Sequence, residues 1–277
     1  MNEQDTIKDA VRDRYAGHAV NKTSCCGSGS SCCGPTAATA VPDGAYDLGD
    51  LSALPADADL GLGCGNPLAF ESLAEGETVI DLGSGGGIDC FLAARKVGPT
   101  GRVIGIDMTP EMIALARRNA AQGGYTNVEF RLSEVESMSV PDDTADIVIS
   151  NCVINLVPDK HAAFAEAFRV TKPGGRLSVS DIVTTEPLPE LARESVAAYV
   201  ACLGGASVLD DYLAAIRDAG YTDVRVTSDV AYAMDDEEAD ALASSFGIDV
   251  PAGLDEAEMR RVAKLFHSVT VQALKPA

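Results

Sequence analysis

Four cysteines stand singly along the sequence, Cys64, Cys90, Cys152 and Cys202, and four more form two doublets, Cys25-Cys26 and Cys32-Cys33. A thiolate is both a nucleophile and a soft ligand, so thiols gathered from distant segments have the chemistry to hold a soft or borderline ion. Cys64 lies in GLGCGNP (61–67), where the flanking glycines offer it little packing. Cys152 follows ADIVIS (145–150), an apolar run that reads as a buried strand, so this thiol stands where a strand ends. Cys202, in AAYVACLGGA, closes a helical stretch that glycines then break. Cys90 sits inside a helix behind a glycine-rich loop and reads as a small buried hydrophobe. His18, His161 and His267 are scattered and read as surface or packing residues, and no acid cluster stands out as a general base.

The glycine-rich loop is DLGSGGG (81–87), between the strand TVIDL and the helix IDCFLAARKV. Its glycines permit a tight turn and a close ligand approach, and the helix N-terminus behind them favours electron-rich groups. Asp107 ends the next strand, at the distance where such folds hydrogen-bond a ribose hydroxyl. A dinucleotide fingerprint would require glycine at position 88, where Ile88 stands. Instead Gly83-x-Gly85-x-Gly87 preceded by Asp81, together with Asp107 and Lys172-Pro-Gly-Gly-Arg176, resembles the motif set of class I S-adenosylmethionine-dependent methyltransferases over about 75 to 185. The resemblance implies S-adenosyl-L-methionine as methyl donor, held by Asp81, Gly83, Ser84, Gly85, Gly87, Asp107 and Met108, with Asp107 on the ribose hydroxyls. It also implies Glu134, after the third strand, near the adenine amine; a plain surface carboxylate is an equal reading of that residue.

The elements that must position these groups alternate. From Thr78 onward strands and helices succeed each other, the helix PEMIALARRNAAQ opening with Thr109 as N-cap and Pro110 in the first turn. Such alternation predicts an α/β fold, a doubly wound and mostly parallel sheet. The methyltransferase resemblance makes it a Rossmann-like sheet of seven strands whose final strand is antiparallel, a role that HSVTVQALK suits. We expect an N-terminal helix (about 5 to 16) and flexible Cys-rich segment in 1–59, the cofactor-binding methyltransferase domain in 60–185, and a C-terminal α+β cap in 186–277. That cap begins with helices near 190–202 and 207–219. Its strands DVRVTSDV and HSVTVQALK reach the sheet edge. The 277 residues carry a net charge of −21, which argues against a nucleic-acid partner, since phosphate binding needs basic clusters. No apolar run approaches the roughly 18 residues of a membrane span, and the charged start is unlike a signal peptide, so a cytoplasmic protein with no membrane partner is expected. Reduced thiols follow from that compartment.

A methyl donor beside converging thiolates narrows the chemistry. Trivalent arsenic is soft, thiophilic and pyramidal with three sulfurs, and its lone pair is free to attack a methyl carbon. Zinc prefers four ligands and has no lone pair to methylate. GLGCGNP, VIDLGSGGGIDCFLAARKVGPTGRVIGIDMTPEMI, SNCVINLVPDK and the Cys202 segment with DDYLAAIRDAGY are similar to the arsenite S-adenosylmethionine methyltransferase family. That resemblance implies Cys64, Cys152 and Cys202 as arsenic-binding, catalytic cysteines, and arsenite and methylated arsenicals as substrates. It further implies a thiol reductant such as glutathione or thioredoxin, and a role in arsenic detoxification. The family also associates an N-terminal cysteine with disulfide formation during turnover; the doublets at Cys25, Cys26, Cys32 and Cys33 do not align to one position, and they are read as capturing arsenite or reducing product. Two other readings share the scaffold: a small-molecule carbon or oxygen methyltransferase with structural thiols, and a non-catalytic thiol-based metalloid-binding protein.

Overall fold

The computed structural model describes residues 3–21, 54–55, 57–60, 73–189, 204–233, 235–238 and 256–277. Cys25, Cys26, Cys32, Cys33, Cys64, Cys202 and the helix expected near 190–202 lie outside the described residues. Five parallel strands make the body of the sheet: β1 (Thr78–Leu82), β2 (Arg102–Asp107), β3 (Val128–Leu132), β4 (Ala145–Asn151) and β5 (Thr171–Thr184). Their order is β3-β2-β1-β4-β5, so the chain reverses direction of travel between β1 and β4. A ligand crevice opens beyond the carboxyl ends of strands at such a switch point.

The later strands extend this sheet. β8 (Phe266–Leu274) lies beside β5 and β7 (Thr222–Ala231) beyond it at the edge, with β8 antiparallel to both of its neighbours, as expected of HSVTVQALK. An eighth strand, the two-residue β6 (Ser207–Val208), pairs with β5 and accounts for one strand more than the expected seven. Helices cover the faces: α1 (Glu3–Asn21), α2 (Ile88–Val97), α3 (Pro110–Gly123), α4 (Lys160–Val170), α5 (Leu209–Asp218) and α6 (Glu256–Ala263).

The sequence explains these elements locally. TVIDL is rich in β-branched residues, and Val79, Ile80 and Leu82 are wholly buried, as a central parallel strand requires. On one face Ile80, Ile104, Val148, Phe164, Leu177, Tyr212 and Ile216 form a continuous core, and the Phe164 and Tyr212 rings meet edge to face with centroids 5.3 Å apart. On the other, Val79, Phe91, Val103, Ile113 and Ile147 pack together. Two local expectations are modified. Thr109 stands at the N-cap of α3 but its hydroxyl caps nothing; its backbone N–H donates instead to Asp107 Oδ1 at 2.8 Å. Lys172-Pro-Gly-Gly is part of β5 rather than a turn before it, at an irregular register where Gly174 N–H donates to Lys275 and the Lys172 ammonium meets Asp146 at 2.7 Å. Among the described residues no helix is long and apolar enough to cross a membrane.

Candidate active site

Six segments of the chain line one cleft at the β1–β4 switch point, with about 1020 Å³ of empty space open to solvent. The loop after β1 contributes Gly83, Ser84, Gly85 and Gly86; the end of β2 contributes Asp107 and Met108; the end of β4 and the turn beyond it contribute Asn151, Cys152, Val153 and Leu156. Register explains the convergence: Leu82 pairs with Ser150 and with Ile106, so the loops leaving β1, β2 and β4 depart side by side.

Asp107 holds the glycine loop in shape. Its Oδ2 accepts the Gly85 N–H at 3.0 Å, while Oδ1 takes the Thr109 N–H. Burial raises its pKa and these two backbone donors pull it back. Each carboxylate oxygen retains a second lone pair, so the group can still accept hydroxyls from the cleft. Ser84 Oγ is buried and has no hydrogen-bond partner, and Gly85 has open space where a side chain would stand. An orphaned hydroxyl and a bare backbone on a cleft wall suit a polar ligand lying close against the loop. Asp89 sits on the same wall and accepts from Asn151 Nδ2 at 3.2 Å. A positively charged ligand therefore meets carboxylates here.

Asp81 and Gly87, expected among the cofactor residues, stand behind the wall rather than on it. Asp81 is 2% exposed and accepts the Cys90 thiol proton at 3.2 Å. Burial, then the charge of Asp89, push its carboxyl well above the usual range. Burial and Asp81 in turn push the Cys90 thiol up, so Cys90 is a protonated donor in the core and not a nucleophile. Gly87 caps α2 with φ 98°, its α-carbon pressed between Phe91 and Phe130. Glu134 is held at the rim: Lys8 of α1 meets it at 2.6 Å and Arg12 lies 3.8 Å away.

Cys152 takes up backbone φ 59°, a left-handed conformation that costs a non-glycine residue about 1–2 kcal/mol. Its N–H donates to Ser180 O at 2.8 Å, which carries the β4–β5 ladder one residue past β4 and then turns the chain. The side chain is 3% exposed, packs with Val11, Leu156 and Ile182, and is disulfide-bonded.

The helix expected at about 5 to 16 is present as α1, but its place at the cleft was not foreseen. Lys8, Val11 and Tyr15 line the cleft, and Ala19 and Tyr15 pack on Met112 and Leu115 of α3. Lys8 also meets Glu136 at 2.9 Å. The only hint was the helical pattern itself, with Lys8, Val11, Arg12 and Tyr15 on one face at i, i+3, i+4 and i+7. The histidines are as expected: His161 is exposed, His18 lies edge-on to Tyr15, and His267 pairs with Asp229 at 2.6 Å, outside the cleft lining.

Residues 73–240 match the family described as Methyltransferase domain. The chain belongs to that family. Within the range of methyltransferases, kinship with those acting on arsenite, expected from the sequence, is borne out. The chain is 45% identical to the arsenite methyltransferase of Halobacterium salinarum over 81% of its own length and 59% of that protein, and 37% identical to the human arsenite methyltransferase over 60% and 46%. Among solved structures, an arsenic(III) S-adenosylmethionine methyltransferase from Chlamydomonas reinhardtii matches with a TM-score of 0.62 at 31% identity, over 82% of this chain and 73% of that one. The chain thus spans between 46% and 59% of the length of three curated arsenite methyltransferases it matches.

Proposed function

We propose that this methyltransferase moves the methyl group of S-adenosyl-L-methionine to trivalent arsenic, arsenite or a methylated arsenical, held by Cys64, Cys152 and Cys202, and that it serves arsenic detoxification. The observation that carries the reading is Cys152: a cysteine held at a left-handed backbone position in the same cleft as Ser84, Gly85 and Asp107.

When bound, S-adenosylmethionine supplies an electrophilic methyl carbon on a sulfonium sulfur. The chain's part is to bind and orient. Asp107 accepts from the ribose hydroxyls, the bare backbone of Gly85 allows close approach, and the Ser84 hydroxyl gains the partner it lacks. Carboxylates of Asp107 and Asp89 favour a cationic ligand electrostatically. Three thiolates replace the oxygens of arsenite and leave the arsenic lone pair facing away from the sulfurs. That pair forms the arsenic–carbon bond while the electrons of the methyl–sulfur bond return to sulfur, so the reaction is an in-line displacement and alignment is most of what the protein provides. No general base is required. The transfer takes arsenic formally from the trivalent to the pentavalent state, and a two-electron thiol reductant, glutathione or thioredoxin, restores it. Cys25, Cys26, Cys32 and Cys33 are assigned to arsenite capture or to that reduction.

The deciding experiment incubates reduced protein with arsenite, a thiol and methyl-labelled cofactor and separates the products by mass. Labelled methylarsenicals should form, and Cys152→Ser should abolish them while leaving S-adenosylhomocysteine binding intact. Unchanged arsenic methylation in that variant would refute the thiol assignment; cofactor binding with no arsenical product would favour a carbon or oxygen acceptor.

A further inference from the structure

Beneath Cys152 lies a buried polar group that the transfer chemistry does not use. Asp181, 1% exposed, follows Ser180 on β5, and Ser180 O is the acceptor of the Cys152 N–H. The Asp181 carboxylate gathers donors from two elements. One oxygen accepts the N–H of Ile182 of β5 at 3.0 Å and the other the Tyr212 hydroxyl of α5 at 3.2 Å, and the nearby backbone of Asn155 helps to pull its pKa down. Asn155 belongs to the short 3-10 turn Ile154–Leu156 that begins two residues after Cys152, and its Nδ2 donates to Ile182 O at 2.5 Å. Cys152 is therefore tied to β5 on both sides, through Ser180 at its own N–H and through Ile182, which Asp181 holds, after it.

A carboxylate suits this place because it only accepts, and everything aimed at it donates. Burial pushes its pKa up to about 7, against the pull of the Ile182 N–H and of Lys160. Burial and Asp181 together raise the Tyr212 hydroxyl, which stays a proton donor. An acidic group so deep costs stability that an apolar side chain of similar size would not, which is the pattern expected where geometry is being held for function. Asp181 does not line the cleft, so its action is through the turn.

We propose that Asp181 is a positioning residue for the thiol site: its carboxylate holds Ile182, whose carbonyl takes the Asn155 amide, and so anchors the 152–156 turn to β5 and fixes the left-handed backbone of Cys152 and the direction of its sulfur toward arsenic. The proposal rests on the arsenic-binding role given to Cys152 above. The test compares wild type, Asp181→Asn and Tyr212→Phe, all fully reduced, by calorimetric titration with arsenite, by titration with S-adenosylhomocysteine, and by the iodoacetamide alkylation rate of Cys152 read from its peptide by mass.

Asp181→Asn puts an amide NH2 against at least one donor and should weaken arsenite binding roughly tenfold or more and change the Cys152 alkylation rate, with S-adenosylhomocysteine affinity kept within about twofold. Tyr212→Phe removes one of the two donors and leaves the Ile182 contact, so it should give a smaller loss, about threefold. Arsenite affinity and Cys152 reactivity unchanged in Asp181→Asn, or both ligands weakened in the same proportion, would overturn the proposal. Should Asp181→Asn not fold, wild-type arsenite affinity and Cys152 reactivity in Tyr212→Phe would overturn it. If the wild type itself fails to bind arsenite, the functional reading falls, and Cys152 alkylation still decides whether Asp181 positions the thiol.

Discussion

Gly83→Ala is a sharp test of how the two halves of the cleft are joined. Gly83 has φ +66°, and a β-carbon built there would stand 2.3 and 2.6 Å from the two γ-carbons of Val153 and 2.9 Å from its β-carbon. Ordinary contact begins at 3.4 Å, so Val153 must retreat by about 1 Å. A β-branched side chain has few rotamers in which to do so, and the backbone just before it is the left-handed Cys152. The positive φ costs about 1 kcal/mol and the overpacking about 1–3 kcal/mol. At about 2–4 °C per kcal/mol for a chain of this size, the melting temperature should fall by roughly 5–15 °C. Since a displacement near 1 Å at an aligned reaction costs about 100-fold, methyl transfer should fall by that order even in the folded fraction. Gly85→Ala is the control. It shares a positive φ, +50°, but its β-carbon would meet nothing within 4 Å and would point into open space on the cleft wall. It should cost about 1 kcal/mol of stability and act on cofactor affinity instead. Thermal unfolding and a cofactor titration on the two variants separate the effects. Wild-type melting and turnover in Gly83→Ala would refute the claim that the cofactor loop presses on the thiol turn.

Two further outcomes follow from the charges. Because the folded-state pKa of Asp181, about 7, lies above its ordinary value of 3.8, its contribution to stability is fully present below about pH 4 and is lost as pH rises through 7. In denaturant unfolding between pH 5 and 8, wild type should therefore lose ground to Asp181→Asn, by at most about 1.4 kcal/mol per pH unit, and a pH-independent gap would contradict the assignment. Lys8→Ala removes the ammonium between Glu134 and Glu136, so stability should fall by about 1 kcal/mol and cofactor dissociation, followed by stopped flow, should speed up severalfold; an unchanged dissociation rate would remove α1 from the cofactor site.

What the sequence conveyed, and what it withheld, divides along the range of the interactions. The glycine loop, Asp107 and the strand ending before Cys152 are local patterns: a strand, a turn and a helix written within about ten residues, each constraining the next. Their meeting in one cleft then follows from strand order alone. α1 is different. Its place depends on Lys8 finding Glu134, 126 residues away, and no periodicity in either segment records that pairing. The ion pair of Glu134 is unreadable for the same reason, since its partner stands in an element whose docking was not foreseen. β6, two residues long, carries too little pattern to be read at all. Asp181 reads in the sequence as one more polar residue in RLSVSDIV; only the arrival of Asn155 and Tyr212 makes it a buried hub.

The topology also says why a methyltransferase sheet can change its acceptor with few substitutions. The loop after β1 and the turn after β4 leave adjacent parallel strands at the same sheet edge, so whatever follows β4 must stand beside the loop that faces the donor. Gly83 lies against Val153 with no room for a methyl group, which makes loop and turn one mechanical piece. The fold fixes that juxtaposition and leaves the side chain at 152 open. On the function proposed above, a thiol there, at a backbone angle a non-glycine residue adopts only under constraint, suits a soft acceptor, and a hydroxyl or an acid in its place would leave the donor side intact and remove a ligand for arsenic. The choice of acceptor would then lie largely in the turn after β4 and in what holds it to β5, and that of the donor in the loop after β1.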